Sequence, residues 1–184
     1  MIRLDSQSPD FDQQLRALCD WDASVGGEIE ARVREIVESV RVRGDAAVLE
    51  LTRRFDRLDA ADMSALELPR SRWQAALESL DAADREALQV AAQRVRDYHQ
   101  HQLAQSWEFT EADGTRLGQR VTALDRVGIY VPGGRAAYPS TVLMTAVPAR
   151  VAGVRDIVLI TPPAADGAVN PVVLAAAHVA GVTE

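Results

Sequence analysis

The chain has 184 residues, 47% of them apolar and 26% charged, with a net charge of −7 and a pI near 5.0. That is enough for one ordinary globular domain, or one domain and a fraction of another. The acidic balance and the lack of any Lys/Arg cluster argue against nucleic acid as a partner. A single cysteine, Cys19, excludes an internal disulfide. No apolar run reaches 18 residues and the N-terminus has no signal pattern, so the reading is a cytoplasmic protein without a membrane partner. Every basic residue is arginine, which reads as composition bias and not as chemistry.

Residues 1–23 read as an N-terminal arm: an extended start, then a brief helix that Ser8 or Asp10 caps and that turns Phe11, Leu15 and Leu18 to one face. Trp21 could anchor it. Gly26-Gly27 reads as a break. Residues 24–125 read as a mainly helical region. Its first helix, over about 28–43, carries Ile29, Val33, Ile36, Val37 and Val40 on one stripe. Arg41 and Arg43 sit at its negative end. Gly44 is expected to close this helix and Asp45 to cap the next, which runs to Phe55 with Val48, Leu51 and Phe55 inward. The Arg-Gly-Asp triplet here is a helix junction.

A polar linker (56–64) and a short extended piece (66–68) lead to Pro69, which opens a helix holding Trp73, Ala76, Leu77 and Leu80. Asp81 caps a longer helix, with Asp84 at the third position, reaching to about residue 105. Ala87, Leu88, Ala91, Val95, Tyr98 and Gln102 form its expected inner face. Asp113-Gly114 then marks a two-residue hairpin between residues 107–110 and 115–123.

Residues 126–184 have a different grammar. Val127-Gly128-Ile129-Tyr130-Val131 is an apolar run of the kind that fills a parallel strand. It halts at Pro132-Gly133-Gly134, where proline cannot donate to a ladder and glycine admits close approach. A helix from Pro139 or Ser140 to Ala152 follows, with Pro148 expected to bend it or split it in two. Ile157-Val158-Leu159-Ile160 is the next strand, ended by Thr161-Pro162-Pro163. A last helix runs from Pro171 to Ala180, and Gly181 terminates it. The fold class is therefore α/β: a helical N-terminal region, a β-hairpin, and an incomplete Rossmann-like βαβα unit. A further strand is expected just after Gly181, where the sequence stops, which would leave residues 157–160 as an unpaired edge. The alternative is that the hairpin completes a small mixed sheet.

Chemistry is sparse. His99 and His101 are two apart on a helix and point to different faces, the wrong spacing for zinc, and His178 is remote. Neither a nucleophile elbow nor a phosphate-binding loop pattern is present. No catalytic residue and no metal ligand is assigned within the chain. The candidate ligand site is the turn Pro132-Gly133-Gly134 together with Tyr130, at the carboxyl end of a strand where open α/β sheets bind ligands. A tight turn that only packs strand on helix is the competing explanation.

The run Val127 to Gly134, then Pro139-Ser140-Thr141-Val142-Leu143-Met144 and Pro148-Ala149-Arg150-Val151-Ala152-Gly153-Val154, resembles histidinol dehydrogenase. So do Val40 to Ala47, Phe55-Asp56 and the strand ending at Thr161-Pro162-Pro163. The resemblance implies a homodimeric enzyme that oxidises L-histidinol to L-histidine with NAD and zinc, in histidine biosynthesis. It assigns Tyr130 to NAD contact, beside Pro132, Gly133 and Gly134. It places the zinc ligands and acid–base residues beyond residue 184, so the chain is expected to be an N-terminal portion and inactive alone. Two alternatives stand beside it: a related zinc/NAD dehydrogenase of a sulfonated diol, and a non-catalytic nucleotide-binding module. A helical interaction module built on the first 105 residues is a third.

Overall fold

The computed structural model describes residues 4–19, 23–133, 136–164 and 167–184. Two compact units divide the chain, Met1–Leu51 and Thr52–Glu184.

The first unit is helical. Helix α1 is Phe11–Cys19, and residues 4–10 form turns without a strand. Asp10 lies just before it: its carboxylate accepts from the Gln14 amide and the Ser8 hydroxyl, and its carbonyl accepts from Gln14 N–H. Leu15 and Leu18 are exposed. Trp21 lies outside the described residues. Helix α2 spans Ala23–Arg43, so Gly26-Gly27 is no break. The helical penalty of two glycines, about 1 kcal/mol each, is outweighed over a 21-residue element. The α2 stripe is less covered than its pattern suggests: Ile29, Val33 and Val37 are exposed. Gly44 (φ +56) ends α2, and its carbonyl accepts the first bonds of α3, Asp45–Phe55. Asp45 is thus the first helical residue and not the cap. In α3 the buried residue is Ala47, whereas Phe55 is exposed.

The second unit carries the core. A 3₁₀ turn, Met63–Leu66, starts on Asp62, whose side chain accepts from Ala65 N–H, and no strand forms at 66–68. Helix α4 is Arg70–Ser79, entered from Pro69. Helix α5 is Ala82–Gln100, with Asp81 accepting from Asp84 N–H at 2.8 Å, the cap its sequence predicts. Leu88 and Ala92 are its buried residues. Of the predicted inner face, Leu88, Ala91 and Val95 are in or against the core, whereas Ala87 and Tyr98 are exposed. Gln102 lies beyond the helix. Arg85 donates to the Leu77, Glu78 and Leu80 carbonyls at the C-terminal end of α4.

The hairpin pairs β1, Trp107–Thr110, with β2, Arg116–Gln119, antiparallel. Its connection is longer than two residues. Glu111 N–H still bonds the Thr115 carbonyl, and Gly114 (φ +90) closes the turn by bonding the Glu111 carbonyl. This is the three-residue loop with glycine at the left-handed position. The hairpin joins no other strand among the described residues, so no mixed sheet forms.

The second sheet is parallel: β3, Arg126–Tyr130, beside β4, Asp156–Ile160, with Val127 opposite Ile157 and Ile129 opposite Leu159. Helix α6, Pro139–Val151, crosses between them. It continues through Pro148 as one element, not two. The carbonyl that Pro148 leaves without an intrahelical donor belongs to Met144, an exposed residue that water can reach. Helix α7, Pro171–Ala180, is apolar almost all round and correspondingly buried, with Val173, Leu174 and Ala175 to Ala177 enclosed. Helices α4, α5, α6 and α7 pack together, α4 and α6 both against α7, and α6 reaches β3. Trp73, Leu88, Ile129, Val131, Val142, Val147, Ile157 and Leu174 share one core. Each such side chain contributes roughly 1.5–3 kcal/mol on burial.

The chain after α7 returns to the sheet. Gly181 (φ +77) caps the helix, as expected. Thr183 N–H and Glu184 N–H bond the Ile157 carbonyl, and Leu159 N–H bonds the Glu184 carbonyl at 2.8 Å. This is a parallel pairing on the outer edge of β4, so that edge is occupied at its start and not bare. The Thr183 hydroxyl accepts from Ile157 N–H at 2.7 Å, Arg70 donates to the Val182 carbonyl, and Arg150 Nε donates to the Gly181 carbonyl at 2.7 Å.

Candidate functional site

Alternation along β3 decides what its side chains can reach. Ile129 and Val131 point into the core, and Gly128 and Tyr130 to the opposite face. That second face is open. Tyr130 is 64% exposed, Ile160 is 60% exposed, and a methyl added at Gly128 would meet nothing within 4 Å. Tyr130 therefore presents its ring and hydroxyl outward at the last position of the strand.

The ladder runs one residue further, Val131 N–H bonding the Ile160 carbonyl at 2.9 Å, and then both strands stop at prolines. Beyond them the loop after β3 and the loop after β4 meet. A Cβ on Gly133 would lie 2.6 Å from the Pro162 carbonyl oxygen and 2.8 Å from its Cγ. Glycine is required there by the neighbouring loop, a packing reason that lies in Pro162 and not in strand-on-helix packing. Gly134 lies outside the described residues.

A cavity of about 210 Å³ sits at this carboxyl end of the sheet. Pro132 and Gly133 line it from one loop, Thr161 and Pro162 from the other, and Asn170 and Pro171 from the start of α7. Its place matches the rule for ligand crevices in open α/β sheets. Its size is below the 300–1,000 Å³ usual for small-molecule sites, so it can enclose one part of a dinucleotide and not the whole. Tyr130 does not line it; the ring stands on the open face of the same strand end. Of the four candidate residues, the structure brings Pro132 and Gly133 to the cavity and leaves Tyr130 outside it, on the open face.

None of the described residues that line the cavity carries an ionisable side chain. Among the described residues the arrangement can hold a neutral group through Thr161 and Asn170. The start of α7 is committed. Asn170 Oδ1 accepts from Val172 N–H, the Asn170 carbonyl accepts from Val173 and Leu174, and Pro171 has no N–H. The usual backbone seat for a phosphate at a helix N-terminus is therefore already filled. These residues fit the neutral portion of a nicotinamide cofactor better than its pyrophosphate. Asn170 and Thr161 are additions to the sequence reading. The Asn-Pro pair ahead of an apolar helical run was the available signal.

Among the described residues no three His, Cys, Asp or Glu side chains cluster in a way that could hold a metal ion. His99 is spent on Gln102, Nδ1 to Oε1 at 2.6 Å, and Cys19 is exposed. No described helix is long and apolar enough to cross a membrane. The shifted carboxylates, Asp10, Asp62 and Asp113, all lie below the ordinary value through local hydrogen bonds, and none of them lines the cavity.

The sequence model described as Histidinol dehydrogenase matches residues 22–184. The chain belongs to the histidinol dehydrogenase family. It is 56% identical over 180 residues to the histidinol dehydrogenase of Bordetella parapertussis, covering 98% of this chain and 41% of that protein. It is 54% identical to the Pseudomonas aeruginosa histidinol dehydrogenase with the same coverage. The fold is similar to the crystal structure of histidinol dehydrogenase from Elizabethkingia anophelis, with a TM-score of 0.73 at 28% identity over 84% of this chain and 35% of that one. The chain thus spans about two fifths of the length of the curated histidinol dehydrogenases it matches.

Proposed function

We propose that these 184 residues form part of an NAD- and zinc-dependent enzyme that oxidises L-histidinol to L-histidine in histidine biosynthesis, acting in the cytoplasm as a homodimer. Family membership over residues 22–184 carries this reading. Residues 126–184 are the first part of its NAD-binding domain, following the arm at 1–23 and the helical region at 24–125. The cavity between the β3 and β4 loops supports the placement of a cofactor there. Pro132 and Gly133 border the cofactor, Tyr130 flanks it from the open face, and Gly134, outside the described residues, is assigned to the same contact by its place in the motif. When bound, NAD would accept hydride and zinc would hold the amino alcohol. We assign the zinc ligands and acid–base groups to the part of the relatives outside the matched 41%. This chain's own contribution is to position a neutral part of the cofactor and to shield it with the proline-lined loops.

Two measurements test the reading. The 184-residue polypeptide, given histidinol, NAD and zinc, is expected to show no turnover; a rate comparable to a full-length relative would overturn the division of labour. In a full-length protein carrying this sequence, Tyr130→Ala is expected to raise KM for NAD about tenfold, roughly 1.4 kcal/mol, with KM for histidinol unchanged. An unchanged KM for NAD would remove Tyr130 from the site.

A further inference from the structure

We draw no further inference here: the strongest candidate, the open face of the parallel sheet around Gly128, Tyr130, Val158 and Ile160, is an unpartnered apolar surface, and nothing in the structure shows what covers it.

Discussion

The two sheets of the second unit each have two short strands, yet they are held in opposite ways. Every residue of β1 and β2 is exposed. That hairpin rests on its own ladder, on the stacked Trp107 and Phe109 rings 6.1 Å apart, and on the Arg116–Glu108 ion pair. The parallel pair β3–β4 buries Ile129, Val131 and Ile157 under the helices. Its outer edge takes up the chain after α7. A ladder alone stabilises little, because an isolated two-stranded hairpin is marginal in water. What separates the two is apolar area removed from solvent.

The widest gap should appear in core truncation. Ile157→Ala removes a fully buried side chain and is expected to cost about 3–4 kcal/mol. Leu117→Ala, at an exposed hairpin position, should stay within about 0.5 kcal/mol. Urea unfolding followed by circular dichroism measures both. Equal costs would mean that the hairpin is packed in solution and that the contrast is wrong.

A second pair sharpens the comparison between β3 and the loop that follows it. Gly133→Ala drives a methyl into Pro162 and should cost about 2 kcal/mol, as overpacking does. Gly128→Ala enters open space and should lie within about 0.5 kcal/mol of the parent. If the Gly133 variant were as stable as the Gly128 variant, the loops after β3 and β4 would not be in contact.

Smaller again is the tie from the last residues to β4. Thr183→Val removes the hydroxyl that accepts from Ile157 N–H, leaving a buried donor unmatched at about 1–2 kcal/mol. Faster hydrogen exchange at the Ile157 amide is the direct readout, and unaltered exchange would show that the hydroxyl is dispensable.

The smallest effect belongs to the hairpin turn. Asp113 is held below the ordinary carboxylate value of 3.8, first by the Thr115 N–H and then by its hydroxyl. A depressed folded value means the contribution is present above the unfolded pKa and is lost as pH falls through the folded one. An NMR titration of the Asp113 carboxyl should give a midpoint under 3.8. A midpoint at or above it would show that the turn is open.

Local chemistry was the most legible part of the fold. The Asp81 cap, the ends of α7 at Pro171 and Gly181, and the strand–helix–strand order of 126–160 follow from turn residues and apolar runs acting over a few positions. The misreadings have two causes. Gly26-Gly27 lies inside α2, and Phe55 and Tyr98 are exposed. For the glycines, a local helix penalty was overridden by the length of the element; for Phe55 and Tyr98, periodicity shows which side a residue occupies but not whether anything packs there. At the candidate site, the glycine turn and the strand-end tyrosine were readable. The cavity's other wall was not, because Thr161, Pro162 and Asn170 come from a loop about thirty residues further along. The reason for glycine at 133 was hidden too, since it lies in Pro162 and not in its own turn.

The parallel register has a kinetic side. Joining Arg126 to Asp156 closes a loop five times longer than joining Thr110 to Arg116. The entropy of that closure is about 1.4 kcal/mol greater. No adjacent turn can guide it, so the encounter of the two distant strands waits on the collapse of the helix between them. By this account the hairpin zips early and alone, while the speed of the second unit is set by how quickly α6 can bring two remote ends together.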